Sequence, residues 1–139
     1  QTFRTQTNNN CFFWIDLKFK LNLILFMRMW MVNPRIMCRQ HLLGEHVEIH
    51  MFIGTINANK SIKGYLEKGL VEVHNLYDRH AELVEEMKRR GYNHCSKVNE
   101  KWRIVEKLGV IDGKKNVNEL INRCINCKTR YSQLRYLHF

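Results

Sequence analysis

An all-α domain, folded as a single compact helical bundle, is what this sequence predicts, on three observations. Apolar residues recur at helical spacing in several segments, alternation of the strand type is nearly absent, and capping residues or glycines bound the segments. With 139 residues, 45% of them apolar and 26% charged, the chain can build one core and is too rich in apolar residues to stay disordered.

Asn33 and Pro34 open the first helix, Asn as N-cap and the only proline of the chain at the first helical position. That helix is expected over about 34–52. Ile36, Leu43, Val47 and Met51 lie near one face, and His41, Glu45 and Glu48 follow at i, i+4 and i+7 on another. Residues 54–74 hold three glycines and read as a loop with a short helix near 62–67, and Lys60, Lys63 and Lys68 make it a phosphate-contacting candidate. The pattern is clearest over 76–90. Leu76, His80, Leu83, Val84 and Met87 form an inner stripe, Glu85–Arg89 and Glu86–Arg90 are i, i+4 pairs, and Gly91 stops the helix after a basic last turn. Ser96 is expected to cap a helix carrying Val98, Trp102, Val105 and Leu108. After an Asp112-Gly113 turn, Asn116 and Glu119 have capping-box spacing, opening a helix with Val117, Leu120, Ile121 and Cys124.

The formal charge is +10, from 23 Lys and Arg against 13 Asp and Glu. Residues 27–139 keep 20 of those bases and 12 of the acids, a net of +8. Such an excess attracts polyanions, and phosphate backbones are the commonest partner, although charge alone does not separate DNA, RNA and an anionic membrane. Five cysteines without a framework spacing fit a reduced, cytoplasmic setting better than a secreted one.

Residues 1–26 are set apart as an extension. Asp16, Lys18, Lys20 and Asn22 interrupt their apolar run, so it falls short of the ~18–20 residues that span a bilayer, and it lacks a signal-peptide cleavage pattern. One reading is an extension packed on the domain. The preferred one is translated upstream sequence, with the working domain over 27–139 starting at Met27.

Two blocks carry a family resemblance. The run His41-Leu-Leu-Gly-Glu-His-Val-Glu48, with Met27-Arg28 upstream, and the run Glu82-Leu-Val-Glu-Glu-Met-Lys-Arg-Arg-Gly-Tyr-Asn93 resemble the pyrimidine-dimer DNA glycosylase family. The resemblance implies a bundle of the endonuclease V type and a repair glycosylase with abasic-site lyase activity. Its substrate would be double-stranded DNA carrying pyrimidine dimers or abasic sites, bound by a monomer without cofactor, metal or membrane. It implies the α-amine of Met27 as nucleophile, and an α-amine suits that role because its unperturbed pKa of about 7.7–8.0 leaves a neutral fraction at physiological pH. Glu48 would stabilise the charge developing on the sugar and move protons. As a lone residue Glu48 reads as an ordinary helix glutamate, and Glu45 is the carboxylate to test if Glu48 fails. Arg28, His41, Lys60, Lys63, Arg89 and Arg90 are the expected DNA contacts. Val47 and Met51 stand where the family's arginines flank the catalytic glutamate, which puts the grip on DNA and the lesion preference in question. The tail from Lys128 to Phe139 mixes cations with aromatics, a composition suited to phosphate contact and stacking, with Tyr131 and Tyr136 expected to pack on the bundle.

Two rivals stand beside this reading. The first is a non-catalytic basic DNA- or RNA-binding module. The second is a metal-dependent hydrolase built on His46 and His50, which are i, i+4 but lack the adjacent base of HExxH. Cys124-x-x-Cys127 is half a zinc site whose second half is not evident, and His94 with Cys95 would complete it only if folding brought them together.

Overall fold

The computed structural model describes residues 27–94 and 96–137, so the expectations on residues 1–26 and on Cys95 lie outside the described residues. Among the described residues five α-helices follow one another: α1 (Arg39–Asn57), α2 (Lys63–Glu67), α3 (Leu76–Arg89), α4 (Gly113–Arg123) and α5 (Ile125–Leu137). Short 3-10 turns stand at Pro34–Ile36, Val73–Asn75 and Glu100–Arg103, and no strand occurs among the described residues. The all-helical expectation therefore holds. None of the described helices is long and apolar enough to cross a membrane.

Packing is built on α1 against α3, with α4 and α5 paired and α5 resting on the Pro34–Ile36 turn. Leu42, Ile49 and Phe52 of α1 and Leu76, Leu83 and Met87 of α3 meet in one core with Met29, Met37, Leu120 and Cys127. Burying such side chains is worth about 1.5–3 kcal/mol each. The inner stripe of α3 stands as read, with only Val84 left half-buried.

The first helix does not run over 34–52. Asn33 caps as expected, its side chain accepting from Arg35 N at 3.0 Å, but it caps only a 3-10 turn. Met37 and Cys38 are extended, and α1 starts anew at Arg39. The cause is competition for two carbonyls. Arg90 donates to the Pro34 carbonyl at 3.0 Å and Arg130 to the Arg35 carbonyl at 3.0 Å, while Cys38 N–H turns to the sulfur of Cys127 at 3.2 Å. At its other end α1 passes through Gly54, expected in the loop, to Asn57.

The helix expected after Ser96 is absent. Asn99 caps the 3-10 turn Glu100–Arg103, Trp102 is buried, and Ile104 is 93% exposed. The chain here is drawn out alongside residues 71–73. Val73 N–H donates to the Leu108 carbonyl at 2.9 Å and Ile111 N–H to the Glu72 carboxylate at 2.7 Å. Gly109, at φ +91, makes this possible, since a Cβ there would sit 2.0 Å from the Val71 carbonyl oxygen. The next helix begins earlier than expected. Asp112 is its cap, accepting from Lys115 N at 3.2 Å, and Asn116 is a buried interior residue instead of a cap. In the tail, Tyr131 is half-buried against the core while Tyr136 is 82% exposed, so only the first packs as expected.

Candidate functional site

The segment beginning at Met27 is strapped across the bundle by polar groups that the core holds rigid. Met29 N–H donates to the Leu70 carbonyl at 2.8 Å, and Trp30 N–H donates to the Glu45 carboxylate at 2.9 Å. Glu45 is 1% exposed and forms a forked pair with the equally buried Arg79, whose Nε and Nη2 reach its two oxygens at 2.5 and 3.0 Å. Arg79 also donates to the Val32 carbonyl at 2.7 Å and to Glu82 at 2.9 Å. Burial works against the Arg79 charge, but Glu45 and Glu82 outweigh it and raise its pKa. One guanidinium thus joins α1, α3 and the start segment. Neither its role nor that of Glu45 followed from helical periodicity, which carries no signal for a charge placed inside.

Met27 and Glu48 are both buried, at 8% and 7% exposure. Glu48 stands one turn beyond Glu45 on α1. Arg28 lies between Trp30 and α4. Its guanidinium is 3.7 Å from the Trp30 ring centroid and donates to Glu119 at 2.9 and 3.2 Å and to the Asn116 side-chain oxygen at 2.9 Å. The hydrogen bonds from Arg28, ahead of the other cations nearby, hold the Glu119 carboxyl below its usual range. Asn116 returns a bond to the Trp30 carbonyl at 2.8 Å. The expected phosphate clamp is therefore engaged with α4.

The other expected DNA contacts divide. Lys60 and Lys63 are exposed, with Lys63 only loosely paired to Glu67 at 3.8 Å. Arg89 and Arg90 both bind the buried carboxylate of Glu86, at 2.7 and 2.9 Å, so they close the end of α3. His41 turns its Nδ1 towards sulfur, 3.2 Å from Cys38 and 3.6 Å from Cys127. Val47 and Met51, with His50, Gly54, Thr55, Ala58 and Lys60, line a mostly apolar groove of about 440 Å³. Its floor is part of α1, and Lys60 stands at its edge.

Beside this groove four imidazoles gather. His46 and His50 come from α1, His80 from α3, and His94 follows α3; ring centroids from His46 to the other three are 4.8–5.2 Å. His50 Nε2 is 3.2 Å from His80 Nε2 and 3.1 Å from the Ser96 hydroxyl, while His46 Nε2 and His94 Nε2 are buried without a hydrogen-bond partner. Sequence spacing had paired only His46 and His50, because His80 reads equally well as one more member of an inner stripe. Burial first, then the neighbouring imidazoles, pushes His46 down to about 2 and His80 down to about 4, and burial lowers His50 and His94 too.

These shifts carry a stability consequence. Below pH 6.5 the unfolded chain binds protons that folded His46 and His80 refuse, so their contribution is complete above pH 6.5. It is lost as pH falls towards about 4 for His80 and about 2 for His46. Urea unfolding at pH 5 should give a stability roughly 2–4 kcal/mol below that at pH 7.5. His46→Met should remove about half of the difference, leaving the part due to His80, and a profile already flat in the unmodified protein would contradict it.

The domain is basic and helical, without strands among the described residues, and sets a buried carboxylate behind a strapped start segment with an apolar groove beside it. The family model described as pyrimidine dimer DNA glycosylase matches residues 27–100, just over half of the chain. The chain belongs to this family. No curated protein and no solved structure gives a match.

Proposed function

We propose that the protein is a glycosylase and abasic-site lyase acting on pyrimidine dimers in double-stranded DNA, with a fold of the endonuclease V type. The observation that carries this reading is the family match over residues 27–100, which opens at Met27 and includes Glu48. In the active form, Met27 is the first residue and residues 1–26 are not part of the working domain. Its neutral amine attacks C1′ of the damaged nucleotide as the bond to the base breaks, and the base departs with the bonding pair. Opening of the sugar at O4′ leaves an imine. Loss of a C2′ proton then expels the 3′-phosphate by β-elimination. Glu48 stabilises the positive charge on the sugar and carries the proton between these steps. The strap supports this assignment. Trp30 lies three steps along the chain from Met27, about 10 Å at most, and is hydrogen-bonded to the carboxylate one turn from Glu48.

Borohydride trapping on abasic duplex tests the amine. A chain beginning at Met27 should form a covalent adduct, and the 139-residue chain, left uncleaved, should form little. Equal trapping by both would move the nucleophile to an internal lysine. No adduct from either would favour a binding module without catalysis.

Lys60 and Lys63 contact phosphates beside the groove in this reading. Replacing both by Ala should lower the slope of log affinity against log salt by roughly 1.8 on duplex DNA, at ~0.9 per contact. An unchanged slope would place the binding face elsewhere, at Lys88 or along α5.

A second reading has its own observation. The metal-reactive nitrogens of His46, His50 and His80 lie within 4.8 Å of one another, as a divalent ion held by three imidazoles requires. A hydrolase using that ion would lose activity on His80→Gln and would form no borohydride adduct, whereas the lyase would form one.

A further inference from the structure

We propose that Cys38, His41, Cys124 and Cys127 hold a structural zinc ion that joins the start of α1 to the junction of α4 and α5. The sequence pairs these residues as Cys-x-x-His and Cys-x-x-Cys, 86 positions apart. Folding brings their four donor atoms within 4.8 Å of one another. A tetrahedral zinc centre has Zn–S bonds of about 2.3 Å and Zn–N bonds of about 2.0–2.1 Å, which sets sulfurs about 3.8 Å apart and sulfur and nitrogen about 3.5 Å apart. The separations fit. Cys38 Sγ is 3.9 Å from Cys124 Sγ, and His41 Nδ1 is 3.2 Å from Cys38 Sγ and 3.6 Å from Cys127 Sγ. A disulfide between Cys38 and Cys124 would need their sulfurs at about 2.0 Å, and all three cysteines are free.

Helix ends and a backbone donor surround the sulfurs. Cys38 is the N-cap of α1, at its positive end, and Cys124 is the C-cap of α4 immediately before the start of α5. Cys38 N–H points at the Cys127 sulfur, a donor of the kind that orients a metal-bound thiolate. Three sulfurs and one imidazole are a soft set suited to zinc, with every position filled by protein, as in structural sites. On binding, the thiol protons are released and the dication takes their place. This site is separate from the histidine cluster, which offers only nitrogen.

Half of the ligands, Cys38 and His41, come from the stretch that matches the family, and half, Cys124 and Cys127, lie beyond it. The ion would therefore fasten the C-terminal helix pair to the helix that carries Glu48. That role is independent of whether the protein is a glycosylase.

The test uses the full chain. Elemental analysis of protein purified without chelator should find one zinc per chain that requires the cysteines. Replacing it with cobalt should produce the intense visible bands of a tetrahedral site together with sulfur-to-cobalt charge transfer in the near ultraviolet. Cys124→Ser and Cys127→Ser should each abolish the charge-transfer band or lower its intensity by about a third or more, and His41→Cys should retain a tetrahedral spectrum with added thiolate intensity. His46→Gln with His80→Gln should leave the bands in place. A wild-type chain that binds cobalt without charge transfer, or binds none, would overturn the proposal, as would bands unchanged in both serine variants.

Discussion

Glu48→Gln is expected to slow cleavage of abasic duplex in single-turnover measurements by about 10²–10⁴-fold, the range for losing a positioned proton carrier, while affinity for the same DNA stays close to that of the parent. The exchange keeps the shape of a side chain that is 7% exposed and removes its charge and its proton-accepting power together. Helix content should not change, which separates a chemical effect from a folding one. If the rate stays near that of the parent protein, Glu48 leaves the mechanism. Glu45 cannot take over, since both of its oxygens are bound by Arg79 and one also receives Trp30 N–H.

Arg79→Met should cost about 3–5 kcal/mol of stability, because it strands a buried carboxylate that had been paired. It also removes the donor to the Val32 carbonyl, so the start segment loses a hold as well. Removing both charges, as in Glu45→Leu with Arg79→Met, should recover part of the loss, since no uncompensated charge is then left in the core. Urea unfolding of the two variants beside the parent protein measures this directly. A loss below 1 kcal/mol for the single variant would show that water reaches Glu45 and that the pair does not organise the core.

Helix α3 was legible almost to the residue because local signals agree there: an apolar stripe, charge pairs at i, i+4, and a glycine after the last turn. Helix α1 was legible in existence but misplaced at its start. Asn33 and Pro34 are a sound capping pair, yet Arg90 and Arg130, far along the chain, take the carbonyls that a continuous helix would have used. The stretch after Ser96 failed for a similar reason. Its apolar residues suit a helix, while Glu72 and the backbone at residue 73 draw the chain out instead. Both errors come from contacts between residues distant in sequence, which spacing cannot carry. The site divides in the same way. Exposed Lys60 and Lys63 stand where a loop reading put them, whereas Arg28 is held by Glu119 of α4. The second half of the Cys124-x-x-Cys127 pattern was in plain view as Cys38-x-x-His41, but only the fold shows that the two halves meet.

The contact of Arg28 with Asn116 and Glu119 bears on what counts as the smallest transferable unit of this protein. Residues 27–100 read as a module when sequences are compared, but α4 grips the residue next to Met27 and supports the Trp30 carbonyl. A graft that ended at residue 100 would carry Glu48 and the groove while leaving Arg28 and the Trp30 carbonyl without their partners on α4. Any substitution on the inner face of α4 should then be felt at Met27 before it is felt at Glu48. A minimal version of the protein would have to keep the chain through Arg123, where that helix ends, and on to Cys127, which lies in the core.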